Sequence, residues 1–262
     1  LFELSDLEQY TPKVQFKNLD VQQVDWNQAQ TEFVFTVENP NPIDVNLASL
    51  TYDLDLGGMD FFSGDNPDGM SLKAEGKSQL RIPATVVFAD LFELHSSYQA
   101  ADTMPFSLAG DIGFNTPIGE IKIPYKEQGD FPVLRRPQFE FKALRVTDLA
   151  VLQNRASLAL DLGVTNEQAS NLGFGDFEYD LFLKGKNVAS GNIKQLTNVE
   201  GGKNQTVTVP VDIDLLQAGE AIVKLIKDRS QIKVRLKAGM SVDTPFGALP
   251  LDLDRSQKLK LQ

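Results

Sequence analysis

An all-β chain made of two tandem immunoglobulin-like sandwiches, each with one short helix, is what this sequence predicts, on three observations. Apolar residues recur with a period of two through most of its segments. The same segments return in the same order in the second half. Gly, Pro and Asn punctuate them as turns do between short strands.

The duplication is read first, because it divides the chain. Val37-Glu38-Asn39 is answered by Val164-Thr165-Asn166, Tyr52-Asp53-Leu54 by Tyr179-Asp180-Leu181 and Ile82-Pro83 by Val209-Pro210, each 127 positions on. Thr116-Pro117 with Gly119 is answered by Thr244-Pro245 with Gly247 at 128, which implies one inserted residue, expected near Gly239. Pro12 and Phe16 are answered by Pro137 and Phe141 at 125, so the early loops carry small indels. The boundary falls in Phe131-Pro132-Val133-Leu134-Arg135-Arg136-Pro137, giving copies over residues 12–134 and 135–262 joined by a short, restraining linker.

Within copy one, Phe33, Phe35 and Val37, then Leu50, Tyr52, Leu54 and Leu56, alternate with polar residues, so Asp53 and Asp55 face solvent. Copy two repeats this at Leu158, Leu160, Leu162 and Val164, then Phe177, Tyr179, Leu181 and Leu183, with Glu178 and Asp180 outward. Later strands are expected near 80–88, 106–114 and 120–125, with counterparts near 205–213, 231–238 and 248–253. Pro83 and Pro210 sit inside two of these runs, and a residue with no N–H to donate places those strands at edges or bulges. Helical spacing interrupts each copy once, at Leu91, Leu94, His95 and Tyr98 and at Ala218, Ile222, Leu225 and Ile226, as a cap on one end of the sandwich.

Composition narrows the function classes. The 262 residues are 42% apolar and 9% aromatic, enough for a core in each half. A net charge of −11 opposes attachment to nucleic acid or to anionic head groups. With no cysteine there is no disulfide, thiolate nucleophile or Cys-based metal site. No apolar run reaches the roughly 20 residues a membrane span requires. The chain starts at Leu1 rather than Met, and an upstream segment removed by processing is expected.

At Val37-Glu38-Asn39-Pro40-Asn41-Pro42 a family resemblance becomes specific. A strand ending in Asn-Pro-Asn, a Tyr-containing strand, an Ile-Pro strand, a short helix and a Thr-Pro-x-Gly hairpin together resemble the WHy domain of the group-2 late-embryogenesis-abundant family, once in each copy. Asn39, Pro40, Asn41 and Asn166 carry the motif, while Glu167-Gln168 replaces Pro-Asn in copy two. The resemblance implies a β-sandwich that protects other proteins in dehydration and related stress, with no catalytic site and no cofactor. Bacterial relatives are often exported or lipid-anchored, so it also implies the cell envelope or periplasm. From the residues alone, Asn-Pro-Asn-Pro is turn chemistry, because Pro fixes φ and Asn hydrogen-bonds its own backbone.

No constellation points to catalysis. His95 is the one histidine and lies on an apolar helical face, and Gly57-Gly58 follows a strand without opening a helix. Asp60, Asp65 and Asp68 lack the EF-hand pattern and read as a solvated acidic loop over 57–70. In that loop Met59, Phe61 and Phe62 form a possible contact site, which copy two lacks because it has only Lys184-Gly185-Lys186-Asn187 there. Charge is unequal: residues 1–134 hold 7 basic and 21 acidic groups, and residues 135–262 hold 18 and 15, with Lys233, Arg235 and Lys237 as a basic stripe. That asymmetry suggests contact between copies or between molecules. Two functions follow as expectations: a non-enzymatic stress protein shielding client proteins, or an envelope module binding a lipid, polymer or protein through an apolar groove or the Phe61-Phe62 loop.

Overall fold

Alternation of buried and exposed side chains produces nearly every strand in the computed structural model, which describes residues 11–65, 70–94, 101–116 and 119–262. The chain divides into two units, Leu1–Leu134 and Arg135–Gln262. The first contains β1 (Lys13–Val24), β2 (Gln28–Glu38), β3 (Val45–Leu56), β4 (Met59–Asp65), β5 (Ser71–Leu72), β6 (Lys77–Val87), α1 (Phe88–Leu94), β7 (Thr103–Thr116) and β8 (Gly119–Pro132). The second contains β9 (Gln138–Ala150), β10 (Arg155–Thr165), β11 (Leu172–Leu183), β12 (Lys186–Val199), β13 (Asn204–Asp214), α2 (Leu215–Ala218), α3 (Glu220–Lys227), β14 (Gln231–Thr244) and β15 (Gly247–Lys260).

Each unit is a sandwich of two antiparallel sheets. In copy two their orders are β13-β10-β9 and β12-β11-β14-β15; in copy one they are β1-β2-β6 and β4-β3-β7-β8, with β5 also pairing β3. The fourth strand therefore joins the third, unlike the constant-type immunoglobulin arrangement in which it lies beside the fifth. Inward residues of both sheets make the core. Phe33, Phe35 and Val37 of β2 and Leu160, Leu162 and Val164 of β10 are wholly buried, each worth about 1.5 to 3 kcal/mol against exposure. Edge-to-face pairs fix the aromatic packing of copy one, Phe33 on Phe106 at 5.2 Å and Phe35 on Tyr125 at 5.0 Å. The Tyr125 hydroxyl bonds the Thr51 carbonyl at 2.9 Å, and burial raises its phenol pKa.

Both prolines sit on edge strands: among the described residues Pro83 lies on β6, which pairs only β2, and Pro210 on β13, which pairs only β10. The Thr-Pro-x-Gly hairpins close alike, with the Thr116 and Thr244 hydroxyls donating to the Gly119 and Gly247 carbonyls at 2.8 Å.

Several expectations are corrected. Segment 57–70 is not one long loop: Gly57 and Gly58 have φ of 62° and 86°, and Lys184 and Gly185 have 52° and 85°, so each copy makes the same two-residue hairpin turn with positive φ. The strand that follows is β4 in copy one and β12 in copy two. The inserted residue lies upstream of Gly239, since Asp53 pairs Ala109 and Asp180 pairs Lys237, already 128 apart. It falls between β6 and β7, a stretch that in copy two holds two helices broken at Gly219 (φ 86°) rather than one. There the Asp214 carboxylate caps α2 through Leu216 N–H and Gln217 N–H, while Ala218, Ile222 and Ile226 are buried and Leu225 is half-buried. In copy one α1 ends at Leu94, and His95 and Tyr98 lie outside the described residues. Phe131, Val133 and Leu134 of the boundary segment are buried.

Candidate functional site

The motif asparagines are buried where β2 runs into β3 and where β10 runs into β11. Asn39 is 0% exposed; its amide donates to the carbonyls of Ile43 (2.8 Å), Lys73 (3.0 Å) and Leu72 (3.3 Å), and its Oδ1 accepts from Asn41 N–H (3.0 Å) and Nδ2 (2.9 Å). Main-chain bonds from Asn39 N–H to Gly76 and from Glu75 N–H to Asn41 close the same knot. It ties the β2–β3 turn to the β5–β6 turn. Asn166 does the same at 0% exposure, donating to Ser170 (2.8 Å) and Val199 (3.1 Å) carbonyls and accepting from Gln168 N–H. Gln168 is one methylene longer than Asn41, and its Oε1 reaches the Arg135 N–H instead of completing the asparagine pair. Pro40 is half-buried and Glu167 exposed. The Asn39, Asn41 and Asn166 side chains are used within the fold.

An ion pair reinforces the copy-one knot. Asp44 accepts from Lys73 Nζ at 2.8 Å and from Ala74 N–H at 2.9 Å, and these bonds hold its carboxyl below its ordinary pKa. In copy two, Asp161 is held low by two bonds from Arg145, both at 2.7 Å, against the weaker upward pull of burial.

Met59, Phe61 and Phe62 do not sit on a loop tip but on edge strand β4, half-buried. Phe62 packs on Phe61 at 6.1 Å and edge-on to Tyr52 at 5.8 Å. Asp60 and Asp65 are exposed on the same strand, and Asp68 lies outside the described residues. Asp55 was expected to be an unremarkable solvent-facing acid. It stands directly across from Asp60, and the hydrogen bond it shares with that carboxyl, with some burial, raises its pKa. Among the described residues no three acidic or imidazole side chains converge as a metal site.

Phe61 and Phe62 instead line a groove of about 470 Å³ between the edges of the two sheets, completed by Asp60, Pro83, Ala84, Thr85, Val87 and Asp90. The equivalent place in copy two is closed. There β12 lies against β13, and Tyr179, buried, crosses between the sheets to donate its hydroxyl to the Pro210 carbonyl at 2.8 Å. Tyr52 occupies the same position over the same small residue. A Cβ on Gly64 would fall 2.5 Å from the Tyr52 hydroxyl, and one on Gly191 would fall 2.7 Å from that of Tyr179. Yet Tyr52 makes no bond to Pro83; its ring leans on Phe62, which faces Leu54 where Ala189 faces Leu181. A phenyl ring thus stands at the β4 edge where copy two has a methyl group. The Tyr–Gly–Pro clasp was not apparent in the sequence, although Tyr52, Pro83 and their partners stand out there as repeated residues.

The basic stripe faces outward on β14, and Arg235 is engaged by Asp254 through two bonds of 2.7 and 2.6 Å, while Lys237 lies 6.0 Å from the Phe182 ring.

Two sandwiches of one topology, each knotted by a buried Asn, define a duplicated all-β module. The family model for the late embryogenesis abundant protein, LEA_2, matches residues 34–129 and again 161–257. The chain belongs to this family, in two tandem copies. An uncharacterized protein of Methanocaldococcus jannaschii is 26% identical over 124 residues, 47% of this chain and 71% of that protein. Among solved structures, a putative late embryogenesis abundant protein is 23% identical with a TM-score of 0.41, over 48% of this chain and 72% of that one. A protein of Arabidopsis thaliana gives 23% and 0.38 over 46% and 80%. A protein from Archaeoglobus fulgidus gives 14% and 0.33 over 47% and 98%. No helix among the described residues is long and apolar enough to cross a membrane.

Proposed function

We propose that this protein is a non-enzymatic stress protein that shields other proteins during water loss, working in the cell envelope or periplasm, where a lipid anchor would hold it. The observation that carries the reading is family membership in both halves, together with motif side chains spent wholly on the fold. A module of this kind acts through a durable, hydrated, charged surface. Residues 1–134 hold 21 acidic groups against 7 basic ones, and surface carboxylates favour solubility. The test is to dry and rehydrate a labile enzyme with the full chain. Recovery well above that given by an inert acidic protein of equal charge is expected, and recovery no better than that control would end the reading.

A second reading is favoured by the groove between β4 and β6. In it, copy one is a binding or adaptor module for a lipid, polymer or protein of the envelope, and copy two is its closed companion. Ligand-dependent amide shifts confined to groove residues would separate this reading from general shielding, which predicts none.

A further inference from the structure

The groove has a backbone wall as well as an apolar one. Pro83 has no N–H and faces Glu32, so it occupies a pair whose main-chain groups point away from β2. Alternation then turns the N–H and C=O of Arg81, Thr85 and Val87 outward too. The inward phase agrees, since Phe88 N–H bonds the Asn27 carbonyl on the β2 side. No described strand pairs with this edge. A free edge of this kind is a template for an added strand.

Its side chains set the chemistry of what would add. Phe61, Phe62, Ala84 and Val87 supply an apolar floor, and Val87 is 37% exposed. Asp60 and Asp90 are the charged lining residues. Asp60 is crowded by Asp55, and a cation between them would relieve that repulsion. The neighbouring cation on β6, Arg81, is already engaged by Glu32 at 2.6 Å and Asp20 at 3.6 Å. In copy two the corresponding carbonyl, that of Pro210 on β13, is already taken by the Tyr179 hydroxyl. We propose that the β4–β6 groove of copy one receives an extended peptide segment of alternating apolar and basic residues, which adds to β6 as a fourth strand of its sheet. This rests on the binding-module reading and names its partner. Residues 81–87 span about 20 Å when extended, room for a heptapeptide.

The test titrates the isotopically labelled full chain with three probes: an end-blocked Lys-Val-Lys-Val-Lys-Val-Lys peptide, its Glu-for-Lys counterpart, and dodecanoate. The basic peptide is expected to shift the Arg81, Thr85 and Val87 amides while leaving Thr208 and Asp212 of β13 unmoved, and the acidic peptide to shift neither. Thr85→Pro removes an outward N–H without touching the β2 ladder and is expected to weaken binding about tenfold. Asp60→Asn with Asp90→Asn is expected to weaken it about threefold to tenfold. Equal response to both peptides, equal shifts on β13, or indifference to Thr85→Pro would overturn the proposal. Shifts with dodecanoate alone would overturn it and leave the binding-module reading standing. No groove shift with any probe would overturn both.

Discussion

Copies one and two share strand order, buried asparagine, tyrosine over glycine and proline edge, yet one sandwich is clasped along an edge where the other gapes. The difference coincides with one pair of cross-strand neighbours. Ala189 stands beside Leu181 where Tyr179 reaches Pro210, whereas Phe62 stands beside Leu54 where the groove opens. Duplication thus preserved what the core and turns require and freed an edge position to change the surface.

The largest effect should come from the shared knots. Asn39→Ala removes the donor from one buried and two part-buried carbonyls, and a loss of about 2 to 4 kcal/mol is expected in urea unfolding followed by amide signals of copy one. Asn166→Ala removes it from two and should cost copy two about 2 to 4 kcal/mol. A larger loss for Asn166 would contradict the bond inventory. Next comes Ala189→Phe, which forces a ring into the closed edge. It should cost about 1 to 3 kcal/mol by overpacking and speed hydrogen exchange along β12. Tyr179→Phe should cost copy two about 0.5 to 1.5 kcal/mol, while Tyr52→Phe leaves copy one within error; equal losses would dissolve the contrast.

The smallest effect is electrostatic. Asp55 has a raised pKa through Asp60, so the folded state holds that proton more tightly than the unfolded one. Its contribution grows as pH falls from neutrality toward the ordinary carboxylate value and disappears as pH rises through the folded pKa. Asp60→Asn should therefore stabilise copy one at neutral pH by no more than about 0.5 kcal/mol and remove this slope. Asp161 has the opposite sign: Arg145 depresses its pKa, so its contribution is present above the ordinary carboxylate value and is lost as pH falls through the folded pKa. Stability of each copy measured from pH 7 to pH 3 separates the two slopes.

Much of this architecture is legible in the sequence, because strands with one wet face and one dry face write a period of two, and a duplicated fold writes it twice. Pro83 and Pro210 on edges follow from the missing N–H alone. The strand after the Gly57-Gly58 turn was hidden because its acidic residues look like loop, while β12 has few large apolar residues to announce it. The β1 strand escaped for a different reason: bulges at Phe16/Asn18 and Val21/Gln23 break its alternation. The groove was not legible at all. It depends on the gap between two sheets, which no local pattern encodes, and comparison with copy two points to Phe62, which stands where copy two has Ala189.

The most direct test is therefore a crystal structure of the full chain carrying Phe62→Ala. The account predicts that β4 moves onto β6, the Tyr52 hydroxyl takes the Pro83 carbonyl as Tyr179 takes Pro210, and the groove disappears. A groove of unchanged width, with Tyr52 still unbonded to Pro83, would contradict it.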